Sequence, residues 1–287
     1  MSMKLRKITE KSLCRTEYDK LTKVFLCEPH HMTIKEQINE TQKHFKDEEF
    51  HLKKAQMQHQ DLIDTLKKHG IKVILLPVKK QFPEQVFTRD IGFTLGQTIF
   101  VAEMAHGARI GEENVLKEWL EKHEISYYNL IGDRVEGGDV LINGHQIYIG
   151  LSNRTNQQSI HHLQTLLHEY EVVTIPFKTK YLHLDCVFNI ISKTEALYYP
   201  DAFDRKELKV LASHFDLIEV NEEEQFTLGT NVLSIGDKKI LSLPVNREVN
   251  QQLRIRGFEV IEVDITEIIK SGGSFRCCTL PLIREYN

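Results

Sequence analysis

No stretch of this 287-residue chain approaches the roughly 18–20 consecutive apolar residues that a membrane-spanning helix requires, which argues against a helical membrane protein. The opening residues, Met1 to Glu10, carry charges without an apolar run, so neither a signal peptide nor an anchor is expected there. Cysteine is scarce: Cys14, Cys27, Cys186, Cys277 and Cys278 form an odd, scattered set of five. That pattern speaks against a disulfide framework and favours reduced thiols in the cytoplasm. No CxxC or HxxxH pair occurs, so a structural zinc site has little support. A large excess of one charge is also missing; the net −4 gives no electrostatic reason to expect a nucleic-acid partner. With 41% hydrophobic and 27% charged residues, the chain can bury a substantial core rather than remain disordered.

What the chain does have is a repeat. Polar motifs read Phe87-Thr88-Arg89-Asp90, Glu136-Gly137-Gly138-Asp139, His183-Leu184-Asp185-Cys186 and Gly272-Gly273-Ser274-Phe275-Arg276-Cys277-Cys278. Asp90, Glu136 and His183 are spaced by 46 and 47 residues, and Cys277 follows 94 later, two further steps of 47. After Val135, Val140-Leu141-Ile142 leads into the hairpin dipeptide Asn143-Gly144, and residues 146–151 return as a strand. Ile160, Leu163, Leu166, Leu167 and Tyr170 then fall at helical spacing, and residues 171–177 read as a third strand. The unit is ββαβ. The same pattern follows Ile91 (helix over 112–123), His183 (helix after Asp204, a credible N-cap) and Thr227 (helix over 247–256, with Gly257 as its C′ residue).

The last motif leaves only a strand pair's worth of chain. The other end supplies a strand over 24–28, a long helix ending at Gly70 and a strand over 71–76. Together the two ends complete a fifth unit, so the expected architecture is α/β: a five-bladed propeller of pseudosymmetric ββαβ modules forming one domain over 1–287. Residues 35–50 are charged and weakly periodic, and read as the solvated first half of the long helix rather than a flap.

The motifs carry chemistry. A cysteine attacks only as its thiolate, so Cys277 needs a positive or acid/base partner, and His183 is the natural one. Asp90, Glu136 and Asp185 near one thiol suit a cation, and a planar guanidinium offers in-plane N–H donors to carboxylates while leaving its carbon open to attack. Asp139, after two glycines, reads as backbone support more than as a ligand. A metal triad of His183, Asp185 and Cys186 is geometrically poor if these residues form a strand, because Cys186 would face away from the other two.

These residues resemble the guanidino-group modifying superfamily, which includes dimethylarginine dimethylaminohydrolases, arginine deiminases and amidinotransferases. Glu136-Gly-Gly-Asp139 followed by Gly150-Leu-Ser-Asn-Arg-Thr-Asn156 is similar to the dimethylarginine hydrolases. Phe87-Thr-Arg-Asp90, His183-Leu-Asp185 and Arg276-Cys277 are closer to the deiminases. The resemblance implies a fivefold pseudosymmetric α/β propeller (the pentein fold), Cys277 as nucleophile and His183 as general acid/base. It also implies guanidinium contacts from Asp90, Glu136 and Asp185, and a grip on a substrate carboxylate by Arg154 and Arg109. Where deiminases carry an asparagine six residues before the Asp, this chain has Glu84, which would repel a carboxylate and accept an amine.

The expected protein is therefore a cytoplasmic, cysteine-dependent hydrolase of guanidino compounds, converting arginine or an N-methylated arginine to citrulline through a thiouronium intermediate. It needs no metal or organic cofactor, and its partner is a small guanidino substrate, with neither nucleic acid nor membrane involved. Amidino transfer, agmatine-type deimination and a non-catalytic binding propeller are the alternatives. The nucleophilic character of Cys277 also implies sensitivity to peroxide.

Overall fold

A computed structural model describes residues 12–34 and 39–286. The expectations placed on residues 1–11, and on residues 35–38 of the charged segment, lie outside the described residues. No helix among the described residues is long and apolar enough to cross a membrane.

Five three-stranded sheets repeat one design. In the chain-closing module, β1 (Lys20–Leu26) is followed by a short α1 (Glu40–His44), α2 (Leu52–Lys68) and β2 (Lys72–Leu75). The second comprises β3 (Gly92–Leu95), β4 (Thr98–Val101), α3 (Glu113–Lys122) and β5 (Tyr127–Asn129). The third comprises β6 (Val140–Asn143), β7 (Gln146–Leu151), α4 (Gln157–Leu166) and β8 (Glu171–Pro176). The fourth comprises β9 (Phe188–Ile190), β10 (Glu195–Tyr198), α5 (Arg205–His214) and β11 (Asp216–Glu219), and α6 (Glu222–Phe226) leads out of it. The fifth comprises β12 (Leu233–Gly236), β13 (Lys239–Ser242), α7 (Arg247–Ile255) and β14 (Glu259–Glu262); α8 (Thr266–Ile269) then leads to β15 (Leu280–Glu285). In each, an antiparallel pair is joined through a helix to a third, parallel strand. Strand β15 pairs with β1, so the fifth unit expected from the two chain ends is present.

Local sequence explains the units. Gly96 and Gly144 hold positive φ (55° and 65°) at hairpin tips, which a Cβ would penalise. Helix α7 buries Val249 and Leu253 on one face and ends ahead of Gly257 at φ 82°. Asn156 caps α4 by accepting the Ser159 N–H (2.9 Å). Asp204 occupies the N-cap of α5 as expected, but its side chain makes no capping hydrogen bond.

The modules meet at five polar seams. Thr94 Oγ1 donates to Pro281 O (2.8 Å), and Gly137 N to Asp90 O (3.2 Å). Leu184 N donates to Asp139 Oδ1 (2.8 Å), Asn189 Nδ2 to Thr230 O (2.8 Å), and Arg284 Nη2 to Ser234 O (2.9 Å). A Cβ at Gly137 would meet the backbone oxygens of Arg89 and Gly92 at 2.2 Å, so only glycine permits the second seam. The segment ahead of β1 threads the middle, with isolated bridges from Leu13 to Ile283, Cys14 to Gly96 and Thr16 to Asn143.

The charged segment differs from expectation. Helix α2 begins only at Leu52, and α1 is a separate, partly buried helix. Gln42 Nε2 donates to Ser271 O (2.9 Å), and His44 stacks on Phe226 with centroids 4.3 Å apart. Asn39 caps α1 by accepting the Gln42 N–H (2.8 Å), which starts the short helix.

Candidate active site

Glu136 and His183 each stand, in extended backbone, immediately ahead of a single 3-10 turn, Gly137–Asp139 and Leu184–Cys186 respectively. Asp139 ties these two turns together. Its Oδ1 accepts the Leu184 N–H at 2.8 Å and its Oδ2 accepts the Ser152 hydroxyl at 2.6 Å. Burial pushes the Asp139 carboxyl up to about 6, against the His183 charge and the hydroxyl bonds that favour ionisation. Asp139 thus supports backbone, holding the turn that presents His183.

The His183 ring is fully buried. Its Nε2 donates to Glu136 Oε2 (2.7 Å), and its Nδ1 lies 3.5 Å from Asp90 Oδ1. Burial opposes the imidazolium, but the Asp90 charge and the Glu136 hydrogen bond outweigh it and lift the pKa to about 10. Burial would likewise raise Glu136, yet the bond and charge of His183, with Arg154, hold it below the usual carboxylate range. The second Glu136 oxygen accepts Ala105 N (2.9 Å) and faces Arg154 Nη1 (3.5 Å). Protein donors reach both Glu136 oxygens, and its geometry is that of an orienting partner for His183.

Asp185 is set by an arginine from another module. Arg276 Nη1 donates to Asp185 Oδ2 (2.6 Å), while Arg276 Nη2 donates to Val140 O (2.6 Å) and to Glu17 Oε1 (3.2 Å). Burial opposes the charge on Arg276, but Glu17 and Asp185 keep it firmly protonated. Burial would raise Glu17 too, and Arg276, Arg89 and Arg284 pull it down to about 2. Asp185 Oδ1 stays free of this clamp. Cys277 Sγ lies 3.9 Å from each Asp185 oxygen, and its backbone N–H donates to Asn231 Oδ1 (3.1 Å).

Arg109 and Arg154 are both buried, and the Arg109 fork is engaged by acids of the chain. Arg109 Nη1 donates to Asp90 Oδ2 (2.5 Å), and its Nη2 and Nε both reach Glu112 Oε2 (2.7 and 3.0 Å). Glu84 stands 3.6 Å from Arg109 Nε. Burial pushes Glu112 up to about 7 even though Arg109 favours its ionised form. In the structure acids of the chain itself face both arginines, Asp90, Glu112 and Glu84 at Arg109 and Glu136 at Arg154.

Of the sequence-derived site residues, the structure gathers Asp90, Glu136 and His183 into one group and Asp185 and Cys277 into another, with Arg109 and Arg154 at the edges of the first. Three residues escaped the sequence reading. Thr230 Oγ1 donates to Cys186 O (2.6 Å), and Asn231 bridges Asp185 O and Cys277 N. One step of 47 beyond His183 lands on Thr230, so the empty place in the repeat marked that position. Glu17 precedes the first module and had no such signal.

Among the described residues, two groups bring metal-capable atoms within 4.8 Å of one another: Asp90, Glu136 and His183, and Asp185, Cys186 and Cys277. In the first, the carboxylates that raise the His183 pKa would make an ion compete with its proton. In the second, the residues after His183 form a turn rather than a strand, so Cys186 comes back beside Asp185 (Sγ to Oδ1, 3.6 Å) instead of facing away.

Buried Asp90 Oδ1 and His183 Nδ1 lack hydrogen-bond partners, and the Asp185 oxygen outside the Arg276 clamp, approached by the Cys186 and Cys277 thiols, lies on the adjoining module ends. Such a set can hold a planar cation between carboxylates, attack it with sulfur and hand it a proton.

A family model for eukaryotic N,N-dimethylarginine dimethylhydrolase matches residues 28–284. The chain is 54% identical to the uncharacterized protein YkgA of Bacillus subtilis, over 99% of both chains. It is 30% identical to N(G),N(G)-dimethylarginine dimethylaminohydrolase of Mycobacterium tuberculosis, over 79% of this chain and 76% of the relative. Among solved structures, the product-bound N-terminal domain of ArgZ, a cyanobacterial arginine dihydrolase, superposes with a TM-score of 0.84 at 28% identity, covering 93% of this chain and 98% of that one.

Proposed function

The chain belongs to the N,N-dimethylarginine dimethylhydrolase family and is a guanidino-modifying hydrolase acting on amidine C–N bonds; from that premise we propose that it converts arginine, or an arginine methylated on one terminal nitrogen, to citrulline. The observations that carry this reading are the unpartnered Asp90 Oδ1 beside His183 and the Cys277 sulfur beside Asp185 Oδ1, on segments joined by the Arg89 N–H to Cys277 O bond (3.0 Å). Two carboxylates suit two terminal nitrogens that both keep N–H donors, which a dimethylated nitrogen lacks. Glu84, beside Arg109, is the natural acceptor for a substrate ammonium, and displacement of Arg109 from Asp90 would free that arginine for a carboxylate.

In this mechanism Asp90 and Asp185 orient the guanidinium, and the Cys277 thiolate adds to its central carbon. His183, held charged by Asp90 and Glu136, gives its proton to the departing ammonia or methylamine. Collapse of the tetrahedral adduct leaves an S-alkylthiouronium. Water then adds as neutral His183 takes its proton, and expulsion of the thiolate releases the ureido product.

Ureido-product formation should be measured with arginine, monomethyl- and dimethylarginine and agmatine, beside Cys277→Ser. Product from arginine, falling by more than about 10^3-fold in the variant, is expected for loss of the nucleophile. Product formation undiminished in Cys277→Ser would sink the covalent route, and product from dimethylarginine alone would sink the two-carboxylate reading.

A further inference from the structure

A second thiol stands at the nucleophile. Cys186 Sγ lies 3.6 Å from Asp185 Oδ1, Cys277 Sγ lies 3.9 Å from the same oxygen, and these three atoms fall within 4.8 Å of one another. The mechanism above gives Cys186 no task. We propose that Cys186 and Cys277 are a peroxide-responsive pair, closing into a reversible disulfide that removes the nucleophile.

The backbones of both residues are pinned. Cys186 O accepts Gln225 Nε2 (2.8 Å) and Thr230 Oγ1 (2.6 Å), while Cys277 N–H is held by Asn231 and Cys277 O accepts Arg89 N (3.0 Å). Closure to a sulfur–sulfur bond of about 2 Å therefore falls to rotation of the two side chains. The adjacent Cys278 is the weaker partner, because neighbouring Cα atoms are about 3.8 Å apart and disulfides usually span about 4.4–6.8 Å. A pocket of about 50 Å³, walled by Tyr181, Tyr199 and Phe226, runs up to Cys186 and is wide enough for a molecule of peroxide size.

The chemistry balances. The Cys277 thiolate attacks one oxygen of hydrogen peroxide, forming a sulfenic acid and expelling hydroxide, which is protonated to water. Cys186, giving up its proton, attacks the sulfenic sulfur and displaces a second hydroxide, which takes up that proton. The two thiols lose two electrons, peroxide is reduced to two waters, and a dithiol reductant reverses the change.

The full-length protein would be treated with a few equivalents of hydrogen peroxide, alkylated under non-reducing denaturing conditions, digested and weighed. The expected product joins the Cys186 and Cys277 peptides, two hydrogens lighter than their sum, and separates with dithiothreitol. Turnover should vanish in step with the crosslink and return with the reductant. In Cys186→Ser, the crosslink should be absent and the loss no longer reversible, as Cys277 proceeds to sulfinic acid. Wild-type Cys277 reaching sulfinic acid without a crosslink, or joining Cys278 instead, would overturn the proposal. The mass readout needs no substrate, so it fails separately from the hydrolase reading.

Discussion

Arg109 rests its own guanidinium on Asp90, Nη1 to Oδ2 at 2.5 Å, so one carboxylate expected to receive a substrate guanidinium already holds one from the chain. Substrate binding on this side is then an exchange of one guanidinium for another, with Glu112 and Glu84 keeping Arg109 compensated as it withdraws.

If the withdrawn Arg109 meets a substrate carboxylate, Arg109→Gln should raise KM for arginine by about 10–100-fold, the range for a lost charged hydrogen bond. For agmatine, which has no carboxylate, KM should change much less. Steady-state kinetics with both substrates checks this, and an equal rise for the two would remove the carboxylate role.

The His183–Glu136 pair predicts opposite pH behaviour at the two extremes. His183 has a raised pKa, so the stability it contributes is fully present below its ordinary 6.5 and lost as pH rises through about 10. Glu136 is depressed, so its contribution is present above 4.5 and lost as pH falls through its lowered value. Glu136→Gln removes one of the groups lifting His183, and its alkaline loss of stability should begin at lower pH than in the wild type. Urea unfolding from neutral to alkaline pH provides the comparison; coincident profiles would refute the coupling.

Arg276→Met leaves Asp185 and Glu17 buried without their shared cation. Breaking such a pair costs about 3–5 kcal/mol, readable as a lower denaturant midpoint. Asp185 should also lose its fixed orientation, so kcat should fall even at temperatures where the variant remains folded. A variant of wild-type stability and turnover would show that the clamp is dispensable.

Asp139→Ala strands the Leu184 N–H, a loss of about 1–3 kcal/mol for a buried donor. Because that N–H fixes the turn after His183, kcat should drop more than KM rises. Asp139→Asn keeps an acceptor oxygen and should recover part of both; equal damage from the two variants would argue against the hydrogen bond as the cause.

The fold was legible because alternating strands, hairpin glycines and helical spacing recur with one period, and the pairing of β15 with β1 followed from a missing half-module at each end. That Asp90, Glu136 and His183 meet, and that Cys277 meets Asp185, was foreshadowed for the same reason, since equivalent places in a ring face one centre. Finer geometry was hidden. Nothing in the sequence says that Glu136 spends both oxygens on protein donors, because those donors, His183, Arg154 and Ala105, come from separate loops. Likewise, Cys186 looked averted until the residues after His183 proved to curl in a 3-10 turn. Short polar turns carry no hydrophobic period, and contacts across modules leave no local trace.

The sheet β15–β1–β2 carries a consequence for how the protein is made. Strand β1 leaves the ribosome long before its antiparallel neighbour β15, with more than 250 residues between paired positions such as Phe25 and Leu280. The earlier strand must wait with one edge bare while four other sheets are synthesised, the situation in which an unpaired edge invites association with other chains. Cys277 arrives just ahead of the closing strand, so the reactive sulfur and the ring that confines it are delivered together, and a nascent chain has no prematurely armed nucleophile.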